Sequence, residues 1–195
     1  MDNKITNILI VGVGGQGIVL AGDLITSAAR AAGFDAKAAE IHGMSQRGGS
    51  VLSEVRYGKE ILSPIMPAKG ADIILAFELL EGLRTLPRLR EGGIIIVNDQ
   101  KIMPSSVTYG AGVYPEDCKE QILNSGKESI ILDALSIATE LGNQRAVNSV
   151  IMGVMAQSVG IDKGCWEQAI RALVKPQYID VNLKAFESGY NFGHL

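Results

Sequence analysis

Residues 7–33 read NILIVGVGGQGIVLAGDLITSAARAAG, and this stretch decides the fold. Asn7 to Val13 is a short apolar run rich in β-branched side chains, as expected of a strand buried on both faces. Gly12-Val13-Gly14-Gly15-Gln16-Gly17 completes it as a glycine-rich turn. Ile18, Leu20, Ala21, Leu24, Ile25, Ala28 and Ala29 then recur at helical spacing, and Gly33 stands where a helix C-terminus favours glycine. The unit is strand, turn, helix.

The same alternation continues outward. Asp35–Ile41 and Val51–Tyr57 read as strands, separated by HGMSQRGGS at residues 42–50, which has too many glycines for regular structure. Ala71–Phe77 reads as a buried strand and Glu78–Arg90 as a helix that Pro87 bends or splits. Gly92-Gly93 precedes Ile94–Val97, the plainest buried strand of the chain. Val107–Val113 and Ser129–Leu132 read as weaker strands around a short helix from Pro115 to Leu123. From Ala134 onward the pattern is helical: Ala134–Leu141, Ala146–Val159, Trp166–Val174 and Val181–Ser188. Strands alternating with helices predict an α/β fold: an open, mostly parallel, Rossmann-like sheet with helices on both faces and a helical C-terminal portion. No linker, repeat or low-complexity tract interrupts residues 1–195, so the expectation is a single domain.

Composition removes several functions. The 195 residues carry 18 Lys+Arg against 21 Asp+Glu, a net charge of −3 that offers no general attraction to nucleic acid or a membrane surface. Aromatic residues make up 5%, too few for a base-stacking platform. The apolar fraction of 47% and charged fraction of 20% imply surface left over for a partner, and self-association when the chain is alone. The two cysteines and two histidines (His42, Cys118, Cys165, His194) are scattered, which argues against a self-contained iron–sulfur cluster or structural zinc site. The N-terminal residues run straight into a strand, no apolar run approaches bilayer length, and the expected location is the cytoplasm, with reduced thiols.

Gly12, Gly14 and Gly17 have the G-x-G-x-x-G spacing of a turn that brings backbone close to an anion at a helix N-terminus. A dinucleotide-binding version needs an acid near the end of the second strand, and Glu40 lies at a suitable distance. The chain then departs from that pattern, entering HGMSQRGGS and another strand instead of a helix. A P-loop is excluded because no GK[ST] occurs, and adenylate-forming enzymes with a GxGGxG turn carry CxxC pairs that are absent here. In the second loop Gly43, Gly48 and Gly49 surround Ser45, Gln46 and Arg47, a composition able to offer N–H donors and one guanidinium to an anion. Both loops follow predicted strands. If those strands are parallel, Gly12, Gly14, Gly15, Gln16 and Gly17 meet Met44, Ser45, Gln46, Arg47, Gly48 and Gly49 at one sheet edge as a single anion-holding cleft, with Arg47 as its fixed charge.

These segments also carry a resemblance. GVGGQGIVLAGDLI, EIHGMSQRGGSVLSEVRYG, SPIMP, ADIILAFELLEGLR, GGIIIVN and AVNSVIMG, in this order, resemble the gamma-type domain of the 2-oxoacid:ferredoxin oxidoreductases over about Ile8 to Gly153. The HGMSQRGGSV form is most similar to the small (beta) subunits of indolepyruvate ferredoxin oxidoreductases. The resemblance implies oxidative decarboxylation of a 2-oxoacid, an indolepyruvate or other aryl pyruvate, with acyl transfer to coenzyme A as co-substrate. It also implies a large partner subunit that holds thiamine diphosphate, magnesium and 4Fe–4S clusters and passes electrons to ferredoxin. The present chain has neither the cysteines for a cluster nor a thiamine signature, since Gly22-Asp23 sits in the first helix. On this reading it binds no cofactor alone and contributes the two glycine-rich loops.

Alternatives remain open on the residues themselves: a non-enzymatic nucleotide- or anion-binding regulatory module, or an NAD-dependent oxidoreductase. His42 ends a predicted strand without a visible carboxylate partner, so no catalytic residue is assigned to it. Cys118, among Glu116, Asp117 and Glu120, is a poor nucleophile. Ser63 reads as a turn hydroxyl bonded to its own backbone. Asn148 matches the resemblance without a chemical role, and Met152 and Met155 lie on a helix apolar around much of its girth, central in the core or at an interface.

Overall fold

Ile8 and Ile10 turn to one face of a strand and Leu9 and Val11 to the other, and all four are fully excluded from solvent. A side chain period of two with both faces covered is what makes the run continuously apolar. The computed structural model describes residues 4–42, 49–108, 110 and 112–193. In it this strand, β1 (Thr6–Val13), leads into α1 (Ile18–Ala31), then β2 (Asp35–His42), β3 (Ser50–Gly58) and β4 (Ala71–Ala76). After α2 (Leu79–Thr85) and a 3-10 turn at Leu86–Arg88 come β5 (Leu89–Asn98), the short α3 (Ser105–Thr108), α4 (Cys118–Leu123) and β6 (Glu128–Leu132). The remainder is helical: α5 (Ala134–Glu140), a 3-10 turn at Gln144–Ala146, α6 (Val147–Ala156), α7 (Lys163–Leu173), a 3-10 turn at Pro176–Tyr178 and α8 (Ile179–Tyr190).

The six strands form one open sheet in the order β2-β3-β1-β4-β5-β6. β1, β4, β5 and β6 are mutually parallel, and β3 runs antiparallel to both β1 and β2. β2 is therefore parallel to β1, as the cleft expectation required, with β3 inserted between them. One face of the sheet, with Ile8, Ile10, Ile73, Leu75 and Ile96, is covered by α1 and the C-terminal helices. The other, with Leu9, Val11, Ile74, Ala76, Ile95 and Val97, is covered by α2 and α4.

Three expectations need correction. The helix after β4 ends at Thr85 rather than Arg90, because Pro87 stands in the first turn of a 3-10 segment and Leu89 already pairs with Ala71. Gly92 and Gly93 accordingly lie inside β5, at a register irregularity, and a Cβ on Gly93 would come within 2.9 Å of the Asp72 carbonyl. The described residues of Val107–Val113 do not form the expected strand: Val107 and Thr108 belong to the helical turn Ser105–Thr108, and Val113 is 90% exposed. The place beside β5 is taken by β6, and the segment leads instead into Tyr114, which is buried and donates its hydroxyl to Glu78.

Helix α6 is core from Ser149 to Ala156, every one of these residues being buried. It meets α8 almost backbone to backbone. A Cβ on Gly153 would lie 2.2 Å from the Phe186 carbonyl oxygen, and one on Gly189 would lie 1.9 Å from that of Val150. Gly153→Ala must push the helices apart and is expected to lower stability by about 1–3 kcal/mol. Gly160→Ala, which meets nothing within 4 Å, should leave the urea midpoint nearly unchanged. Comparing the two denaturation curves checks this packing.

Candidate functional site

In this strand order the chain turns to one side after β1 and to the other after β4, so the switch point lies between them at the C-terminal ends of the strands. A cavity of about 450 Å³ opens there, lined by Gly15, Gln16 and Gly17 after β1, Phe77 after β4, Gln100 and Ile102 after β5, and Gln144, Arg145, Val147 and Asn148 at the start of α6.

The glycine turn is held from beneath by Gln16. Its Oε1 accepts from the Val13 N–H at 2.7 Å, and its Nε2 donates to the Phe77 carbonyl at 2.8 Å and to Gln100 Oε1 at 3.3 Å. Gly12 makes this possible: a Cβ there would stand 2.7 Å from Gln16 Oε1 and 2.8 Å from Ile18 Cδ1. Asn98, fully buried, extends the network by donating to Gln100 Oε1 and accepting the Ala134 N–H. The Gln16 side chain is thus a clip between strand ends.

Gly17 has φ +75° and caps α1 without any side-chain hydrogen bond. Its carbonyl accepts both the Ala21 N–H and Asn148 Nδ2, each at 3.0 Å, and a Cβ at Gly17 would lie 2.6 Å from that amide nitrogen. Only glycine satisfies both constraints. Asn148 therefore ties the first turn of α1 to the first turn of α6. α1 has neither an acidic residue in its first turn nor a side-chain cap and so presents partial positive charge at the cavity, whereas α6 runs on from the 3-10 turn Gln144–Ala146, whose start is capped by Asn143 Oδ1 accepting the Arg145 N–H. Among the described residues nothing accepts the Gly15 or Gly17 N–H, and Arg145 is exposed with no acidic partner. No carboxylate of the described residues lines the cavity. Chemically, such a cleft can take an anion between apolar walls from Leu20, Phe77, Ile102 and Leu135.

The two predicted loops do meet, at their bases. The Gly14 N–H donates to the Gly49 carbonyl at 3.0 Å, and Val13 pairs with Ser50. Met44, Ser45, Gln46, Arg47 and Gly48 lie outside the described residues, as does His194. The far wall of the described cavity comes from residues 100–102 and 144–148. Sequence reasoning missed Gln100, Gln144 and Arg145. The available signal was Asn148 in AVNSVIMG, since a polar residue opening an apolar helix marks the end that faces a site.

Other residues resolve more simply. Ser63 Oγ accepts the Ile65 N–H at 3.2 Å, the local turn expected of it. The Cys118 thiol is buried, which with the nearby Glu78 and Asp117 charges holds its pKa up. Glu78, also buried, accepts from Tyr114 Oη and from the Glu81 and Ile102 N–H groups, anchoring the loop that carries Ile102 into the cavity. Burial and the Glu78 carboxylate push the Tyr114 phenol far above its usual range, so it stays a donor. Ser50 donates to Glu81, which also pairs with Arg84, fixing the end of the β2–β3 hairpin to α2. Glu40 sits on the outermost strand, separated from β1 by β3, and so on a strand about 10 Å from β1, where a ribose-binding acid would stand on the strand next to β1.

The family profile described as pyruvate ferredoxin/flavodoxin oxidoreductase matches residues 7–192. The chain is 40% identical over 188 residues to indolepyruvate oxidoreductase subunit IorB of Thermococcus kodakarensis, covering 94% of this chain and 93% of the relative. A crystal structure of the gamma subunit of a keto/oxoacid ferredoxin oxidoreductase from Geobacter sulfurreducens superposes with TM-score 0.70 at 25% identity, covering 95% of this chain and 96% of that one. The 2-oxoglutarate:ferredoxin oxidoreductase of Magnetococcus marinus, solved with 2-oxoglutarate, coenzyme A and succinyl-CoA bound, shares the fold at TM-score 0.74 and 20% identity, covering 97% of this chain and 31% of its own.

The role of Gln16 can be tested by Gln16→Glu, which sets a carboxylate against the Phe77 and Gln100 oxygens. The fold then favours the protonated acid and raises its pKa. The substitution should cost about 1–3 kcal/mol at neutral pH, and the deficit should shrink as pH falls towards 4, where the protonated acid donates again. Denaturation at the two pH values measures it.

Proposed function

The chain belongs to the pyruvate ferredoxin/flavodoxin oxidoreductase family, and from that premise we propose that it is the small subunit of an indolepyruvate ferredoxin oxidoreductase. The carrying observation is the 40% identity to an IorB subunit across nearly the full length of both chains. It is a subunit of a 2-oxoacid:ferredoxin oxidoreductase. The complete enzyme decarboxylates an aryl pyruvate, passes its electrons to ferredoxin and transfers the acyl group to coenzyme A.

In this proposal thiamine diphosphate, magnesium and the 4Fe–4S clusters reside in the large subunit. The residues of the present chain do not fit a cluster: Cys118 belongs to the core on one face of the sheet and Cys165 packs against the other. Among the described residues no three His, Cys, Asp or Glu side chains converge as metal ligands. Both cysteines are free thiols, in keeping with a cytoplasmic location, and no described helix is long and apolar enough to cross a membrane. Exposed Val19, Leu20, Ile41, Met103 and Val113 surround the C-terminal edge of the sheet, an apolar rim suited to cover by the large subunit.

Coenzyme A fits the cleft as its anionic ligand. The Gly15 and Gly17 N–H groups and the first turn of α1 would receive a phosphate, and Arg145 would supply the counter-charge. Arg47 stands in the same proposal as a second cation, carried by the loop whose last residue is bonded to Gly14. These residues bind and orient; none is assigned to bond making or breaking.

Two experiments test this. The purified subunit should be colourless, hold no stoichiometric iron or thiamine diphosphate and show no oxidoreductase activity, with activity appearing only on addition of the large subunit. Iron-dependent absorbance near 400 nm in the lone subunit would overturn it. In the assembled enzyme Arg145→Ala should raise the Michaelis constant for coenzyme A roughly 10- to 100-fold and leave that for the 2-oxoacid in place. Arg47→Ala should raise one of the two constants at unchanged melting temperature; loss of stability alone would make Arg47 a structural residue.

A further inference from the structure

α1 packs on β2 and β3 from one side of the sheet. On the other side α2 lies over β1, β4 and β5, and the connection from β3 to β4 lies over β2 and β3. A row of polar side chains holds it there. Lys37 of β2, Arg56 of β3 and Asn7 of β1 stand side by side in register. Lys37 Nζ donates to the Ile61 carbonyl, Arg56 Nη1 to those of Ser63 at 2.7 Å and Ile65 at 3.0 Å, and Asn7 Nδ2 to that of Gly70 at 2.9 Å. The Ile61 and Met66 N–H groups donate to Asp35 at 2.7 Å and to buried Glu54 at 2.8 Å. Ile61 and Met66 are themselves buried, so the residues between them are clamped at both ends.

What the clamp presents is apolar. Leu62 is 89% exposed and Ile65 55%. Leu62 lines a cavity of about 430 Å³ together with Ile5, Arg56, Lys59, Glu60 and Ser63. A loop already fixed by its backbone bonds loses little further freedom when its leucine is covered, so the gain from covering it is largely kept. Lys59 and Glu60 are adjacent, exposed and opposite in charge, and among the described residues neither makes an ion pair. The loop leaves β3 where Tyr57 pairs with Thr6, at the start of β1, and ends at Ala71, the start of β4. It therefore lies at the N-terminal ends of the parallel strands, the opposite end of the sheet from the glycine turn and the apolar rim.

We propose that residues 59–65 form a two-fold symmetric contact with a second copy of this chain. A patch that meets its own copy across a two-fold axis must complement itself. Lys59 beside Glu60 does so, because the axis brings Lys59 of each copy to Glu60 of the other. Leu62 beside the cavity does so as well, since the projecting side chain and the hollow that receives it belong to one patch. A large subunit covering the C-terminal edge leaves this end of the sheet free, so the contact joins two complexes without reaching the cleft. The proposal is independent of which ligand the cleft takes.

Sedimentation equilibrium of the full chain at low salt tests it. Wild type should show a monomer–dimer equilibrium, and Leu62→Asp should raise its dissociation constant about tenfold or more. Lys59→Glu and Glu60→Lys should each weaken the dimer roughly 5- to 20-fold, since the symmetry turns two attractions into two repulsions. An equimolar mixture of these two variants should regain wild-type association, because two acids on one chain then face two bases on the other. The three positions are exposed, so the melting temperature should stay in place. Leu62→Asp should also bind the large subunit and support turnover as wild type does. A wild-type chain that is monomeric at every concentration, or a Leu62→Asp chain that dimerises as tightly, overturns the proposal. Failure of the mixed charge variants to regain association overturns the two-fold pairing and the proposal with it. Loss of large-subunit binding in Leu62→Asp overturns it in favour of a contact between this loop and that subunit.

Discussion

The hydrogen bond from Asn148 to the Gly17 carbonyl joins two parts of the chain that are 131 residues apart in sequence, and the site depends on it. Without it, α1 and α6 would still pack on the same sheet face through their apolar sides, but their first turns would have no fixed relation. With it, the first turns of α1 and α6 open on one space. The uncapped start of α1 and the Arg145 guanidinium share a wall to which no described residue brings a carboxylate. Such a wall is sustained by burial elsewhere in the fold, and it favours an anion arriving from solution.

That supporting burial is unusually close. Gly153 and Gly189 let α6 and α8 approach until their backbones touch, and Gly22 lets α1 settle on β3, where a Cβ would come within 2.9 Å of Ser53 Oγ. Close packing leaves few alternative positions for a helix. The α6 start, with Arg145 and Asn148, is consequently placed by contacts at the far end of the same helix. The strand ends are joined separately by Gln16, Asn98 and Gln100, a polar network in which each amide bridges elements distant in sequence. The site thus sits on rigid parts, while the apolar residues around its rim remain exposed for a partner.

Much of the fold was legible locally. Asn7–Val13, Ala71–Phe77 and Ile94–Val97 are runs that only a doubly covered strand accommodates, and each is a strand. The failures share a cause. Val107–Val113 has the composition of a strand, but the place beside β5 goes to β6, which comes later in the chain, and strand order is a property of the whole sheet. Glu78–Arg90 has helical spacing throughout, yet Leu89 pairs with Ala71, and the sheet prevails over the helix once Pro87 has removed a backbone donor.

The amino-acid sequence by itself determined the strand–turn–helix unit, the glycine spacing at Gly12, Gly14 and Gly17, the mostly parallel sheet and the family, because each rests on residues close together in the chain or on motifs in order. Only the tertiary structure decided what those glycines are for. Gly12 makes room for the Gln16 clip, and Gly17 for Asn148. The described cation beside the turn is Arg145, from the opposite end of the chain, while Glu40 is carried away from the site by an inserted strand. Spacing along a chain records which backbone conformations are allowed. Which side chain closes a cavity depends on helices packing across a sheet, and that contact has no local signature.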